Sequence, residues 1–152
     1  MYKVICILGK SGVGKDTLAK ELCSNKKYHF VKSYTTREIR KNDPEDINHH
    51  TFVKKSFREE FNERDILVEY RNEKLGYCSW TSSDLFDEDK INVYVVDIDA
   101  YIKLSKKSDF NCIGIYLKLS EFSLDRIKKD IKKEIKIKQF QKIYILDWNM
   151  LL

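Results

Sequence analysis

The sequence predicts an α/β fold, with a three-layer α/β/α arrangement around a parallel central sheet, and three observations predict it. The β-branched run at residues 4–8 is followed by a glycine-rich loop and then by apolar residues at helical spacing. Further apolar strands at 93–96 and 112–119 alternate with helical segments, which is typical of parallel sheets with right-handed crossovers. The 152 residues, 42% of them hydrophobic, can bury one core, so we expect a single domain.

The first loop is the most informative stretch. Residues 9–17 contain three of the five glycines in the chain, and they stand between the first strand and the first helix, at 15–23. Glycine allows backbone angles that let consecutive N–H groups surround an anion at the positive end of a helix. We interpret the stretch as a phosphate loop for ATP rather than a glycine turn without a ligand, with Lys15 reaching the β and γ phosphates. Its members are Gly9, Lys10, Ser11, Gly12, Val13, Gly14, Lys15, Asp16 and Thr17.

Two carboxylates are candidates for holding Mg²⁺. Asp16 follows the loop lysine, where the general pattern has Ser or Thr, and carboxylate oxygen suits a hard cation. Asp97 follows the strand at 93–96, where phosphate-loop enzymes place an acidic metal ligand. The alternative role for Asp97 is to cap the next helix.

The middle of the chain predicts an inserted lobe of mixed α+β structure at 33–81, between core segments 1–32 and 82–152. Short strands are expected at 30–32, 51–53, 66–70 and 77–80, a loop around the only proline at 42–48, and a helix at 55–64 with Phe57 and Phe61 on one face. The main sheet then resumes. Ser82, Ser83 and Asp84 begin a short helix, another helix runs to about residue 106, a long one starts at Ser120, and a last strand is expected at 144–146.

Two arginines stand three residues apart directly after the strand at 30–32. Arg37 and Arg40 offer two planar forks, which suit a phosphate dianion better than lysines do. The alternative is a pair of solvated charges in a loop. A location near a strand end favours the phosphate site, because open α/β sheets place their ligands there.

Residues 33–40 read Ser-Tyr-Thr-Thr-Arg-Glu-Ile-Arg and resemble the signature Ser-x-Thr-Thr-Arg-x-x-Arg of the guanylate kinase family. The opening of the phosphate loop, Gly-x-Ser-Gly-Val-Gly-Lys, is also similar to that family, and the likeness covers about the first 120 residues. The resemblance implies a P-loop NTPase fold whose inserted lobe binds a nucleoside monophosphate. It also implies ATP- and Mg²⁺-dependent phosphoryl transfer to GMP or dGMP.

The resemblance also implies the acceptor contacts. Ser33, Arg37 and Arg40 would hold the acceptor phosphate, with His50 standing where the family has a tyrosine. Glu69 and Asp99 would accept from guanine, in positions similar to the two acidic contacts of the family. Tyr77 and Ser79, with Cys78 in place of the family's glycine, would contact the phosphate and O6. Guanine specificity is expected if Glu69, Ser79 and Asp99 converge, because a mismatched base would leave buried polar groups unpaired.

The chain departs from the family at its mobile lid, expected here as a helix at about 121–138. Residues 123–142 contain one arginine, Arg126, and seven lysines. We carry the role of a lid arginine to Arg126. Most of the lysines are interpreted as the wet face of an amphipathic helix.

The composition restricts the class of partner. A formal net charge of +5 and a pI near 8.9 come mainly from lysine, which favours attraction to nucleotides over specific nucleic-acid binding. The four cysteines have no metal spacing and indicate reduced thiols. The apolar run before the loop is too short for a signal peptide, so we expect a cytoplasmic monomer or homodimer without a membrane partner.

Two other functions remain open at this point. One is a related kinase that acts on another nucleoside monophosphate or on a ribosyl phosphate. The other is a non-catalytic binding module of guanylate-kinase-like fold, although such relatives have typically lost the phosphate loop. A regulatory GTPase is disfavoured because the chain has no Asn-Lys-x-Asp motif.

Overall fold

The computed structural model describes residues 1–43, 46–118 and 143–147. The chain divides into two compact units, one of Met1–Phe30 with the chain from Glu88 onward, the other of Val31–Asp87. The strands are β1 (Tyr2–Gly9), β2 (Tyr28–Phe30), β3 (Ser33–Thr35), β4 (His50–Phe52), β5 (Ile66–Asn72), β6 (Tyr77–Ser82), β7 (Ile91–Val95), β8 (Phe110–Lys118) and β9 (Ile143–Asp147). The helices are α1 (Lys15–Cys23), α2 (Asp46–His49), α3 (Lys55–Glu59) and α4 (Ile98–Ser105), with a 3₁₀ turn at Ser83–Leu85.

The first unit is built on a parallel sheet. Within the described residues its strand order is β2-β7-β1-β8-β9, and each neighbouring pair runs parallel. The central strand β1 is flanked by β7 and β8, so its side chains at Cys6, Ile7 and Leu8 are fully buried. The core includes Val13 of the loop and Ala19 of α1. The sequence prediction of an α/β fold with a parallel central sheet is confirmed.

The turn that ends β1 needs glycine for two separate reasons. Gly9 has φ 140, and a Cβ placed on it would lie 2.6 Å from the backbone oxygen of Leu117, its partner on β8. Gly12 has φ 78, but a Cβ there would meet nothing within 4 Å. Glycine is therefore required at Gly9 both by the backbone conformation and by the lack of space for a Cβ, whereas at Gly12 it is required by the backbone conformation alone.

These two glycines make a matched pair for a stability measurement. Gly9→Ala is expected to lower the free energy of unfolding by about 3 kcal/mol or more, since strain adds to a backbone clash that cannot relax. Gly12→Ala is expected to cost about 1 to 2 kcal/mol, the penalty for a left-handed residue with a Cβ. Urea unfolding checks this, and equal losses in the two variants would contradict the assigned role of Leu117.

The second unit holds a mixed four-stranded sheet. Its strand order is β4-β3-β6-β5; β3 and β4 are parallel, whereas β6 is antiparallel to both β3 and β5. Four aromatic residues form its core, with ring centroids 5.4 to 5.6 Å apart around Tyr34. They are Tyr34, Phe57, Phe61 and Trp80. The apolar surface that is buried in this small lobe thus comes from large aromatic rings.

Some predicted element bounds differ from the structure. The helix expected at 55–64 ends at Glu59, and the Asn62 side chain then accepts from the N–H of Arg64 at 3.0 Å, a side-chain turn that competes with helix. The expected loop at 42–48 contains the start of α2. The long helix expected from Ser120 lies outside the described residues. In the part of the chain that the structure describes, no helix has the length and apolar character needed to cross a bilayer.

Candidate functional site

The loop between β1 and α1 has the geometry of an anion cradle. Gly12 and Gly14 adopt positive φ of 78 and 95, and α1 begins directly afterwards at Lys15. The first N–H groups of a helix have no intrahelical partner and lie at its positive end, so they favour an anion. The loop therefore brings backbone donors and a lysine to one place, which suits the phosphates of a nucleotide.

The lysine of the loop bonds to the loop itself. Lys15 Nζ donates to the carbonyl of Gly9 at 2.9 Å and to that of Lys10 at 2.8 Å. Burial lowers the pKa of Lys15, and the charge of Asp16 opposes that shift. Desolvation of an ammonium group strengthens its attraction to an incoming anion.

The two predicted metal ligands have different surroundings. Asp16 stands in the first turn of α1. Asp97 caps α4, with Oδ1 accepting from the N–H of Ala100 at 2.7 Å, so its capping role is confirmed. A carboxylate retains further lone pairs, so a role toward Mg²⁺ stays a prediction. Among the described residues, no group of three or more His, Cys, Asp or Glu side chains is placed to hold an ion.

In the second unit, Arg37 is held by a carboxylate that the sequence analysis did not single out. Its Nη1 and Nη2 donate to the two oxygens of Asp46 at 2.9 and 2.7 Å. The guanidinium also lies over the ring of Phe52, 5.4 Å from the centroid. The side chain of Asp46 is 3% exposed and that of Arg37 is 14% exposed. This arrangement fixes the orientation of the arginine fork.

The same carboxylate also organises the second arginine. The backbone N–H of Arg40 donates to Asp46 Oδ2 at 2.9 Å. The side chain of Arg40 is 64% exposed, with Asp43 at 4.0 Å. Asp46 therefore holds the segment that carries both predicted phosphate ligands, whereas the guanidinium of Arg40 stays exposed.

Ser33 and His50 form a pair on neighbouring strands. Ser33 Oγ lies 2.9 Å from His50 Nδ1, and the two residues are partners in the β3–β4 ladder. Burial and the nearby charge of Arg37 lower the pKa of His50. This shift favours the uncharged form of its imidazole.

Thr35 links Ser79 to the arginine segment. Its Oγ1 donates to the carbonyl of Cys78 at 3.2 Å. The same oxygen accepts from Ser79 Oγ at 2.8 Å and from the N–H of Arg37 at 3.2 Å. Thr35 uses its single hydroxyl proton in the bond to Cys78, so in the contact between Thr35 and Ser79 the hydroxyl of Ser79 is the donor.

The second sheet has two faces that carry different chemistry. In the β5–β6 ladder Tyr70 is opposite Ser79, and in the β3–β6 ladder Thr35 is opposite Ser79. We call this side the tyrosine face; residues of the same parity on the other strands belong to it. Its members include Ser33, Thr35, His50, Phe52, Val68, Tyr70, Asn72, Tyr77, Ser79 and Thr81.

The opposite side, which we call the tryptophan face, carries Glu69. Glu69 is opposite Trp80, and its two oxygens accept from Arg58 Nε and Arg71 Nε, both at 2.8 Å. These contacts lower the pKa of Glu69 against the opposing effect of burial. By the alternation of side chains along a strand, Glu69 and Ser79 belong to opposite faces of this sheet, and their convergence on one base stays a prediction.

A cavity of about 300 Å³ opens near the end of the β5–β6 hairpin. Its walls come from α3, from the hairpin and from Thr36 at the end of β3. They are Thr36, Lys55, Arg58, Glu59, Arg71, Asn72, Glu73, Gly76, Tyr77 and Cys78. Three cations and two carboxylates give it a mixed polar lining, and Glu69 is not part of the wall.

The structure brings some predicted site residues together and leaves others apart. Ser33, His50, Ser79 and Tyr77 share the tyrosine face, and Arg37 is joined to it through Thr35 and Phe52. Asp99 belongs to the first turn of α4, in the first unit. Arg126 and the lid-like helix at 121–138 lie outside the described residues.

The sequence analysis missed Asp46, Arg58 and Thr35. Asp46 stood in a stretch of acidic and polar residues interpreted as a loop, and its pairing with Arg37 has no helical or strand spacing. Arg58 is 8% exposed, and its guanidinium lies 5.7 Å from the ring centroid of Trp80. The sequence did carry a signal for Arg58, namely a charged residue next to the apolar positions Phe57 and Phe61 of a predicted helix.

Removing the charge of Asp46 is expected to destabilise the protein. Asp46→Asn should lower the free energy of unfolding by about 2 kcal/mol or more, because the buried Arg37 fork loses its counter-charge. Chemical denaturation measures the loss. The matched control is Asp43→Asn, whose exposed carboxylate lies 4.0 Å from Arg40, with an expected change within about 0.5 kcal/mol. Similar losses in both variants would contradict a special role for Asp46.

The same ion pair predicts a pH dependence. The bonds from Arg37 and Arg40 lower the pKa of Asp46 from 3.8 to about 2. A depressed pKa in the folded state means that the stabilisation is complete above the unfolded value and is lost as the pH falls toward 2. The stability gap between the wild type and Asp46→Asn should therefore be constant above about pH 5 and shrink steadily as the pH falls toward 2. A gap that is undiminished at pH 2 would contradict this.

Comparisons with known proteins agree with the fold, and the matched residues cover most of the chain. The family model described as guanylate kinase matches residues 1–146. A guanylate kinase of Clostridium tetani (strain Massachusetts / E88) is 30% identical over 131 residues, which are 86% of this chain and 62% of that protein. One of Mycoplasmopsis pulmonis (strain UAB CTIP) is 30% identical over 149 residues, covering 89% of this chain and 76% of that protein.

A solved structure shows the same fold. The crystal structure of guanylate kinase from Anaplasma phagocytophilum matches with a TM-score of 0.61 at 16% identity, over 95% of this chain and 76% of that one. The chain spans about three fifths of the length of its clostridial relatives, 62% and 60% in two of them. Since the family model matches almost all of the sequence, the chain belongs to the guanylate kinase family.

Proposed function

We propose that the protein transfers the γ phosphoryl group of ATP, with Mg²⁺, to a nucleoside monophosphate, with GMP and dGMP as the acceptors that its family membership indicates. The reaction needs no covalent intermediate, because phosphoryl transfer depends on positioning and on the neutralisation of charge. The observation that carries the proposal is the presence, in one chain, of a glycine cradle containing Lys15 and of a lobe in which Asp46 orients the Arg37 guanidinium.

The donor side of the proposal rests on the first unit. The positive-φ glycines, the N-terminus of α1 and Lys15 supply the donors that a triphosphate requires. Asp16 and Asp97 would hold Mg²⁺ through carboxylate oxygen, and the ion would reduce the negative charge of the phosphates. The resemblance and the spacing of these residues support their roles toward the ion.

The acceptor side rests on the second unit. Ser33, Arg37, Arg40 and His50 are candidates for the acceptor phosphate, with Tyr77 on the same face. Arg37 sits in a low-exposure setting, where a charge-assisted bond is stronger than in water. The exposed guanidinium of Arg40 can turn toward a dianion without breaking a short ion pair. Arg126 stays a proposal as a lid arginine, and Asp99 as a contact to the base.

A coupled assay of ADP release with MgATP and a panel of nucleoside monophosphates tests the proposal. Turnover with GMP or dGMP is expected. Lys15→Ala should lower kcat by roughly 100- to 1000-fold, since it removes a charged donor from the transferring phosphoryl group. It should also remove most of the thermal stabilisation by ATP.

The matched control is Lys20→Ala, which removes an exposed lysine from the last turn of the same helix. This variant should keep its activity and its stabilisation by ATP. A wild type that is stabilised by neither ATP nor GMP and that turns over no monophosphate would contradict a kinase and favour the non-catalytic binding module. Turnover restricted to another acceptor would leave the phosphotransferase reaction and reject GMP.

A further inference from the structure

The guanidinium of Arg37 has two edges, each of which can hold an anion through a pair of N–H groups. One edge consists of Nη1 and Nη2, and the other consists of Nε and Nη2. Asp46 occupies the first edge, because its two oxygens accept from Nη1 at 2.9 Å and from Nη2 at 2.7 Å. The remaining N–H of Nη1 donates to the carbonyl of Glu38 at 2.9 Å.

The second edge of Arg37 is not used in this way. Within residues 1–43, 46–118 and 143–147, the three contacts to Asp46 and Glu38 are the only hydrogen bonds of this guanidinium group. Nε and the outer N–H of Nη2 are coplanar and parallel, which is the geometry that matches two oxygens of a phosphate. The ion pair with Asp46 therefore leaves a complete fork for a second anion.

Arg37 lies close to other candidates for the acceptor phosphate. Its guanidinium lies 5.4 Å from the ring centroid of Phe52, and the rings of His50 and Phe52 are 6.1 Å apart between centroids. Burial lowers the pKa of His50, and the charge of Arg37 lowers it further. The hydrogen bond to Asp46 raises the pKa of Arg37, and Tyr77 adds a smaller effect in the same direction. Arg37 is thus within electrostatic range of both His50 and Tyr77.

The burial of the ion pair indicates that a phosphate would meet Arg37 with Asp46 still in place. The side chain of Asp46 is 3% exposed and that of Arg37 is 14% exposed. Asp46 Oδ2 also accepts from the backbone N–H of Arg40 at 2.9 Å. Displacing the carboxylate would leave a buried charge without compensation and would break the contact to Arg40. Use of the second edge avoids both losses.

We propose that Asp46 is a positioning residue for the acceptor: it occupies the Nη1–Nη2 edge of Arg37 and thereby presents the Nε–Nη2 edge to the 5′-phosphate of the acceptor nucleotide. Asp46 itself does not touch the substrate. The inference rests on the proposed phosphotransferase function and adds to it a residue that acts through Arg37. Since the fork binds the acceptor phosphate in the ground state and in the transition state alike, its loss should change KM for the acceptor more than kcat.

Steady-state kinetics test this inference, with KM for GMP and KM for ATP measured separately in the wild type and in Asp46→Asn. Asp46→Asn should raise KM for GMP by roughly tenfold or more, because a charge-assisted contact to the phosphate loses its orientation. KM for ATP should stay within about twofold. The matched control is Asp43→Asn, whose exposed carboxylate lies 4.0 Å from Arg40; its two KM values should match those of the wild type.

The comparison separates positioning from a loss of stability. KM does not depend on the fraction of the enzyme that is folded, so destabilisation alone would lower the apparent kcat and leave both KM values unchanged. A second comparison uses Arg37→Lys, because lysine has no fork to orient. In that background Asp46→Asn should change KM for GMP by less than about twofold, since positioning acts only through the guanidinium.

Three results would overturn the inference while the wild type remains active. They are an unchanged KM for GMP in Asp46→Asn, an equal rise of KM for ATP, and a rise of KM for GMP that persists in the Arg37→Lys background. A lower KM for GMP in Asp46→Asn would also overturn it, by showing that the carboxylate competes with the phosphate for the arginine. A wild type that turns over no monophosphate would overturn the phosphotransferase function, and this inference with it.

Discussion

The pairing of β5 with β6 is the constraint on which the second unit depends. Trp80 can enter the aromatic core only in the register that places it opposite Glu69, and the same register places Ser79 beside Thr35. The burial of the indole ring in this register is therefore linked to the set of side chains that lines each face of the lobe.

The lobe contains two arginine–carboxylate pairs that have different surroundings. Arg58 and Glu69 form an ion pair beside Trp80, so charged side chains cover the aromatic core at a place where an apolar side chain would need no partner. Arg37 and Asp46 lie at the other face, and their bidentate contact resembles that of a guanidinium with a phosphate. The first pair lies beside the aromatic core, whereas the second fixes the orientation of a group suited to bind an anion.

Local patterns predicted the first unit well. The strand, the glycine loop and the helix from Lys15 to Cys23 follow from periodicity and from glycine alone, since neighbouring residues decide them. Pairings between distant residues were not accessible in this way. The partner of Arg37 is nine positions away in an irregular segment, and the face of Glu69 depends on a hairpin register that a one-residue change in loop length would invert. The helix α3 ends at Glu59, and the Asn62 side chain forms a turn just after that end, a local contact that a helical pattern does not reveal.

The contacts of Lys15 with the carbonyls of Gly9 and Lys10 have a consequence for nucleotide affinity. The ammonium group is already anchored, so under the proposed function a triphosphate would meet a lysine whose rotamers are restricted before binding. Binding would then exchange two neutral oxygen partners for anionic ones and would require little additional ordering of a long side chain. The contribution of Lys15 to nucleotide affinity would then be electrostatic, so that affinity should fall as the ionic strength rises.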